Sequence, residues 1–235
     1  ERVENTYTYV RDSEAERNSS SKGIRDTVHG WREFHPAVNE TTPNVYPKGF
    51  RHSIMKPLIV DTLASGKGTR LTTRDVIGAG PRTVAGVLEK HGMEPTIVPV
   101  EKFLRGKNEI KGFDVILISG MTPDISAMGK TIRKWRRGNN GSVIIGGPAS
   151  SEPERVLKRT GADIAITGEG EMTLSELIDL GALHGATDGL DKVLGISYRI
   201  KKTVTVNPLR SVQSREIFKE YQASTDTITG YDLYK

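Results

Sequence analysis

The chain of 235 residues contains no cysteine. This absence excludes disulfides, thiolate nucleophiles, cysteine-ligated zinc and any iron–sulfur cluster held by the chain itself. Histidine is scarce, with five in the whole chain, which argues against a histidine-rich metal site. No stretch approaches the roughly 20 apolar residues of a membrane span, and the chain opens on polar residues rather than an apolar leader. The sequence therefore predicts a cytoplasmic protein without membrane contact.

The net charge of +5 is a modest basic excess, which fits a polyanionic partner without requiring one. Five basic side chains crowd one predicted helix, at 125–137, where they form either a solvated face or a contact for RNA. The candidate nucleic-acid residues are Lys130, Arg133, Lys134, Arg136 and Arg137.

Residues 1–52 show no sustained period of 2 or 3.6, and their prolines interrupt any helix. Their aromatic side chains, among them Trp31 and Phe34, are too numerous for a free tail. We expect an extended arm that packs on the following domain or on a partner.

Beyond the arm, short apolar runs alternate with helical patterns, as expected for strands buried on both faces of a parallel sheet. Predicted strands cover 57–61, 94–100 (nearer an edge because of its prolines), 113–119, 142–146 and 162–167, and predicted helices cover 81–91, 125–137, 153–159 and 173–183. Period-2 segments at 195–200 and 203–206 predict a hairpin that turns at Lys201 and Lys202. The fold class is therefore a doubly wound α/β sheet of five parallel strands, with an arm before it and a β-hairpin after it.

Glycines and small residues follow the strands, at the edge where doubly wound sheets bind ligands. The alternative is that βα turns are commonly glycine-rich. The candidate residues at this edge are Thr62, Leu63, Ser119, Gly120, Met121, Thr122, Gly146, Gly147, Pro148, Gly168, Glu169, Gly170 and Glu171.

Two phosphate-binding motifs are incomplete. The segment 65–69 is similar to the end of a P-loop. However, Asp61 stands at the position of the first P-loop glycine, and Gly68 stands at the position of the Ser or Thr that binds Mg²⁺. The segment 78–80 lacks the third glycine of a dinucleotide fingerprint and is better interpreted as a helix entry before Pro81. A helix beginning there still leaves open a flavin or nucleotide domain that binds phosphate.

No catalytic residue is assigned. Glu169 and Glu171 form a carboxylate pair, but negative charge before a helix starting near Thr173 is more simply a cap. Asp61 and Asp124 have the same standing. The histidines lack metal-ligand spacing, and no Ser-His-Asp arrangement follows from spacing.

Several motifs together go beyond a general α/β pattern. A predicted helix at 80–92 ends in His91-Gly92. Further along the chain comes Gly146-Gly147-Pro148, which is followed about twenty residues later by Gly168-Glu169-Gly170-Glu171. With the hairpin leading to Pro208, these segments resemble the N-terminal B12-binding domain of radical SAM proteins over residues 55–210.

The resemblance implies a flavodoxin-like sheet with strand order 2-1-3-4-5 that holds cobalamin base-off. Ser119, Gly120 and Met121 would lie along the nucleotide tail, with Gly146, Gly147 and 168–171 on its other side. The corrin would lie above these loops.

Two family motifs are absent. No histidine stands in the loop after Asp61, where the D-x-H-x-x-G motif would place a cobalt ligand, so the resemblance implies cobalamin without a lower histidine ligand. The C-x-x-x-C-x-x-C motif is also missing. The 4Fe–4S cluster and S-adenosylmethionine would then belong to a radical SAM barrel beyond residue 235, in cis or as a separate fragment.

The predicted organisation is an arm at 1–52, a B12-binding-type domain at 53–190, a hairpin at 191–210 and a linker at 211–235. The predicted function is cobalamin binding in a radical SAM enzyme of the methyl or methylthio transfer class. The alternative is a cofactor-free scaffold, or an RNA- or protein-binding module that uses helix 130–137 and the aromatic arm.

Overall fold

The computed structural model describes residues 55–62, 77–106 and 111–214, together with Glu216, Lys219 and Tyr221. The predicted arm at 1–52, the candidate residue Leu63 and most of the predicted linker lie outside the described residues.

A single sheet of seven strands organises the described residues, with spatial order β2-β1-β3-β4-β5-β6-β7. Strands β1 to β5 are parallel, whereas β6 pairs antiparallel with β5 and β7 antiparallel with β6. The predicted α/β class and the order 2-1-3-4-5 are confirmed, and the predicted hairpin continues the same sheet. The strands are β1 (Pro57–Asp61), β2 (Thr96–Pro99), β3 (Val115–Ser119), β4 (Val143–Gly146), β5 (Ile164–Ile166), β6 (Ile196–Ile200) and β7 (Thr203–Val206).

Five α-helices connect these strands, and one of them was not expected from the sequence. Helix α2 has six residues, too few for a helical period to be recognised, and its pattern merges with the preceding strand. The last helix begins at Glu171, two residues before the predicted start. The helices are α1 (Ala79–Lys90), α2 (Val100–Arg105), α3 (Ile125–Arg136), α4 (Pro153–Thr160) and α5 (Glu171–Asp179).

The sheet separates two hydrophobic cores, because successive side chains along a strand point to opposite faces. Ile59 and Leu117 pack with α1 and α5, whereas Leu58 and Ile116 pack with α2, α3 and α4. The largest buried side chain, Trp135 of α3, donates its indole N–H to the Gly141 carbonyl at 3.1 Å. Both faces are therefore covered, which explains the near-continuous apolar runs of the strands.

Asn207 holds the loop that precedes the hairpin. Its side-chain amide donates to the carbonyl oxygens of Leu190 at 2.6 Å and Val193 at 2.8 Å, and the side chain is buried. Two carbonyls that water does not reach are satisfied in this way.

We predict that Asn207→Ala lowers the free energy of unfolding by about 2 kcal/mol, because both carbonyls lose their donor. Urea denaturation of the two proteins measures the difference. Asn140→Ala is the matched control, since Asn140 is exposed, and we expect a change within about 0.5 kcal/mol. Equal effects of the two substitutions would contradict the role of Asn207.

Candidate functional site

The carboxyl ends of three neighbouring strands meet in register. Asp61 of β1 lies beside Ser119 of β3, and Ser119 lies beside Gly146 of β4. Each follows by two residues a side chain that packs against α1 and α5, so alternation turns all three positions to that face.

A cavity of about 170 Å³ opens between this part of the sheet and helices α1 and α5. Its walls are mostly aliphatic side chains and glycines. The lining residues are Ile59, Gly80, Thr83, Val84, Val87, Leu117, Ile118, Ser119, Ile144, Ile145, Gly146, Gly147, Ile166, Gly168, Glu169, Gly170, Glu171 and Leu174.

Gly146 leaves the cavity open. A Cβ atom built there would have the Ile166 carbonyl oxygen, at 4.0 Å, as its nearest neighbour. Gly147 is required for another reason, because its φ is +83° and a Cβ would approach the Gly120 carbonyl oxygen to 2.7 Å. One glycine of the pair thus provides space and the other permits the turn.

Two buried carboxylates accept hydrogen bonds near the carboxyl ends of β1 and β3. Asp61 accepts the Gly78 N–H at 2.8 Å, at the entry to α1. Asp124 is fully buried and accepts the Met121 N–H at 2.9 Å, while its Oδ2 lies 3.2 Å from the Thr62 hydroxyl. These contacts give both aspartates a structural role in the scaffold.

Glu171 is the ionisable group whose environment is most unusual at the cavity. Burial raises the pKa of its carboxyl group above the ordinary value, and the nearby Glu169 carboxylate raises it further. Hydrogen bonds from the backbone N–H groups of Glu171 and Gly170 oppose this change. Glu171 Oε2 is buried without a hydrogen-bond partner.

The structure brings several of the predicted site residues together around the cavity. Ser119, Gly146, Gly147 and 168–171 line it, and Thr62 donates its hydroxyl to the Ser119 carbonyl at 2.7 Å behind it. The other candidates at this edge, Gly120, Met121, Thr122 and Pro148, do not line the cavity.

Sequence reasoning missed the helix side of the cavity. Gly80, Thr83 and Val84 of α1 and Leu174 of α5 line it. A helical pattern shows which residues are apolar, but it does not show which strand ends they face. The sequence feature that could have indicated this side of the cavity is Gly80, a glycine near the start of a helix. A Cβ there would lie 3.3 Å from Ser119 Oγ.

Part of the predicted basic surface is used inside the chain. Lys134 donates to the carbonyl oxygens of Phe103, Leu104 and Gly106, at the end of α2. Arg136 pairs with Asp163 and donates to the Gly141 carbonyl at 2.8 Å. These contacts account for two of the five basic residues without a nucleic acid, and RNA binding stays a prediction.

The two described histidines lie away from the carboxyl edge of the sheet. His91 follows the last turn of α1, where its Nε2 is 2.8 Å from Ser175 Oγ and its Nδ1 is 3.8 Å from Asp179. His184 lies in the short turn after α5. These contacts of His91 connect α1 to α5.

Within the described part of the chain, no helix combines the length and the apolar character that crossing a membrane requires.

Residues 72–178 match the B12 binding domain. The resemblance inferred from the sequence is confirmed. The matched segment contains α1 to α5 nearly complete and thus most of the cavity lining.

Two archaeal proteins are similar in sequence over this region. The uncharacterized protein MJ1620 of Methanocaldococcus jannaschii is 41% identical over 162 residues, which cover 67% of this chain and 30% of that protein. The uncharacterized protein MK0932 of Methanopyrus kandleri is 42% identical over 123 residues, which cover 52% of this chain and 23% of that protein. The chain therefore spans less than a third of the length of either relative.

One solved structure has the same fold. The radical S-adenosylmethionine methyltransferase TsrM from Kitasatospora setae, determined with cobalamin and a 4Fe–4S cluster bound, aligns with a TM-score of 0.51 and 17% identity. The alignment covers 65% of this chain and 30% of TsrM. At this identity the likeness shows a shared fold.

We predict that Glu171→Gln makes the protein less sensitive to rising pH. A raised pKa in the folded state means that the stability of the wild type is greatest below the unfolded pKa and is lost as pH rises through the folded pKa. The amide does not titrate, so the variant gains on the wild type between acidic and neutral pH, by up to about 1 kcal/mol because solvent screens a half-buried group.

Urea denaturation at intervals from acidic to neutral pH measures this gain. Glu154→Gln is the control, since Glu154 lies in the first turn of α4 but is exposed and paired with Lys158. Parallel pH profiles for the wild type and Glu171→Gln would show that Glu171 is an ordinary surface carboxylate.

Proposed function

We propose that this chain binds cobalamin base-off, with the nucleotide tail in the cavity and the corrin over the carboxyl edge of the sheet. The observation that carries the proposal is the cavity itself. It lies at the strand ends and is covered by α1 and α5, and it has free space beside Gly146, which carries no side chain. The family match over residues 72–178 supports the same ligand.

The size and chemistry of the cavity suit a flat aromatic base. Its volume of about 170 Å³ is close to the ~150 Å³ of an apolar cavity known to admit a benzene ring. Ile59, Leu117 and Ile144 offer an aliphatic surface from the sheet. The opening at the strand ends leads toward the loops over which a larger ring system would lie.

Cobalamin, when bound, supplies a cobalt that can carry a methyl group. The contribution of this chain is to bind and orient the ligand. Val84, Val87 and Leu174 exclude water from the tail, and Ser119 presents a hydroxyl to the same space. Since the loop after Asp61 contains no histidine, a lower histidine ligand from that position is not part of the proposal.

The whole protein is proposed to be a radical SAM enzyme that transfers methyl or methylthio groups. The fold shared with TsrM, a radical S-adenosylmethionine methyltransferase, supports this class. The chain covers less than a third of its relatives, which leaves room in them for a radical SAM barrel holding the 4Fe–4S cluster and S-adenosylmethionine.

We expect the purified chain to retain hydroxocobalamin through gel filtration, with the visible spectrum of a base-off species. Gly146→Val should reduce the affinity at least tenfold, because the new side chain begins in the open space of the cavity. Valine is also favoured in strands, so β4 should still form. Gly146→Ala should have an intermediate effect.

Gly129→Ala is the control for an added methyl group. Gly129 lies in α3 on the opposite face of the sheet, where a Cβ would first meet the flexible end of Arg133 at 3.3 Å. We expect its cobalamin affinity to equal that of the wild type. If the wild type retains no corrinoid, or if Gly146→Val binds as well as Gly129→Ala, the proposed placement of the tail is wrong.

A further inference from the structure

Glu171 differs in its hydrogen bonding from Thr83 and Glu169, two other polar side chains of the cavity. The Thr83 hydroxyl donates to the Ala79 carbonyl at 3.0 Å, and the Glu169 carboxylate accepts the Gln213 N–H at 2.6 Å. Glu171 Oε2, by contrast, is buried without a partner. A carboxylate oxygen left in this state is costly, and either protonation or a ligand relieves the cost.

Among the described residues that line the cavity, none carries a positive charge that would balance Glu171. The strands and α1 contribute uncharged side chains to the cavity, and the charged group closest in the lining is Glu169. Arg210, which packs against α5, is engaged by Glu176 at 2.5 Å and by the Thr173 hydroxyl at 2.9 Å. These surroundings raise the pKa of the Glu171 carboxyl group and so shift its equilibrium toward the neutral acid.

A neutral carboxylic acid can donate a hydrogen bond, which a carboxylate cannot. The complementary ligand atom is an uncharged acceptor on an otherwise apolar group. An anionic group would be repelled by Glu169, and a saturated hydrocarbon would leave Glu171 without a partner. A nitrogen heterocycle with an unprotonated ring nitrogen meets both requirements.

We propose that Glu171 donates a hydrogen bond, as a neutral carboxylic acid, to a ring nitrogen of the base in the cavity, and so selects cobamides whose tail ends in a nitrogen heterocycle. This inference rests on the proposed function, since it concerns the same cavity. It adds a specificity-determining residue that the family match does not identify.

Three ligands test the selection. These are cobalamin, a cobamide that carries p-cresol as its base and so lacks the ring nitrogen, and cobinamide, which has no nucleotide tail. Dicyano forms are used, so that the base is free of cobalt in each case. The wild type should bind cobalamin about tenfold more tightly than the p-cresol cobamide, which is the effect of one buried hydrogen bond.

Substitutions of Glu171 separate the hydrogen bond from the space that the side chain fills. Glu171→Leu should abolish the preference for cobalamin over the p-cresol cobamide. Glu171→Gln should keep it, because the amide still donates. The affinity of the wild type for cobalamin should fall as pH rises and the acid ionises, whereas that of Glu171→Gln should stay constant. Glu154→Gln should behave as the wild type.

An infrared difference spectrum between the wild type and Glu171→Gln reports the proton directly. We expect the carbonyl stretch of the protonated Glu171 side chain to persist to higher pH than that of an exposed glutamic acid, and to shift when cobalamin is added. If the wild type binds cobalamin and the p-cresol cobamide equally, and Glu171→Leu changes neither, this inference is wrong while the proposed function stands. If the wild type binds none of the three ligands, the proposed function itself fails.

Discussion

The alternation of side chains along parallel strands that are buried on both faces is the constraint on which the rest of this structure depends. It sends Leu58 and Ile116 to one core and Ile59 and Leu117 to the other. The same alternation, carried two residues further, turns Ser119 and Gly146 toward α1 and α5. Because parallel strands all end at one edge, these positions come together without any local sequence motif to join them.

The cavity exists because Gly146 carries no side chain, and not because of an additional helix or strand. Interiors are normally close-packed, and the strand ends would be so too if Gly146 carried a side chain comparable to Ile144. Behind the cavity, the backbone is held by polar groups such as buried Asp124 with Met121 and Thr62. An open volume between packed elements is what a preformed ligand site requires.

Charge is distributed according to a similar division between scaffold and cavity. Lys134 and Arg136 satisfy carbonyl oxygens and Asp163 on the α2 and α3 side, where they stabilise the end of α2 and the strand edge. The described residues that line the cavity include no basic side chain and contain Glu169 and Glu171. A surface that looked suited to a polyanion is thus partly structural, and the capping interpretation of Glu171 accounts for one of its oxygens while Oε2 remains without a partner.

The sequence by itself determined the α/β class, the hairpin and the glycine-rich edge, because each depends on local period, turn chemistry or chain connectivity, whereas the order of the first five strands followed from the family resemblance. Only the tertiary structure decided that α2 exists, since its six residues are stabilised by Lys134, thirty residues away. It alone decided that Gly80 and Leu174 complete the cavity, and that Glu171 lacks a partner for Oε2. These features depend on which helix packs over which strand end, and that is set by long-range burial that no local pattern encodes.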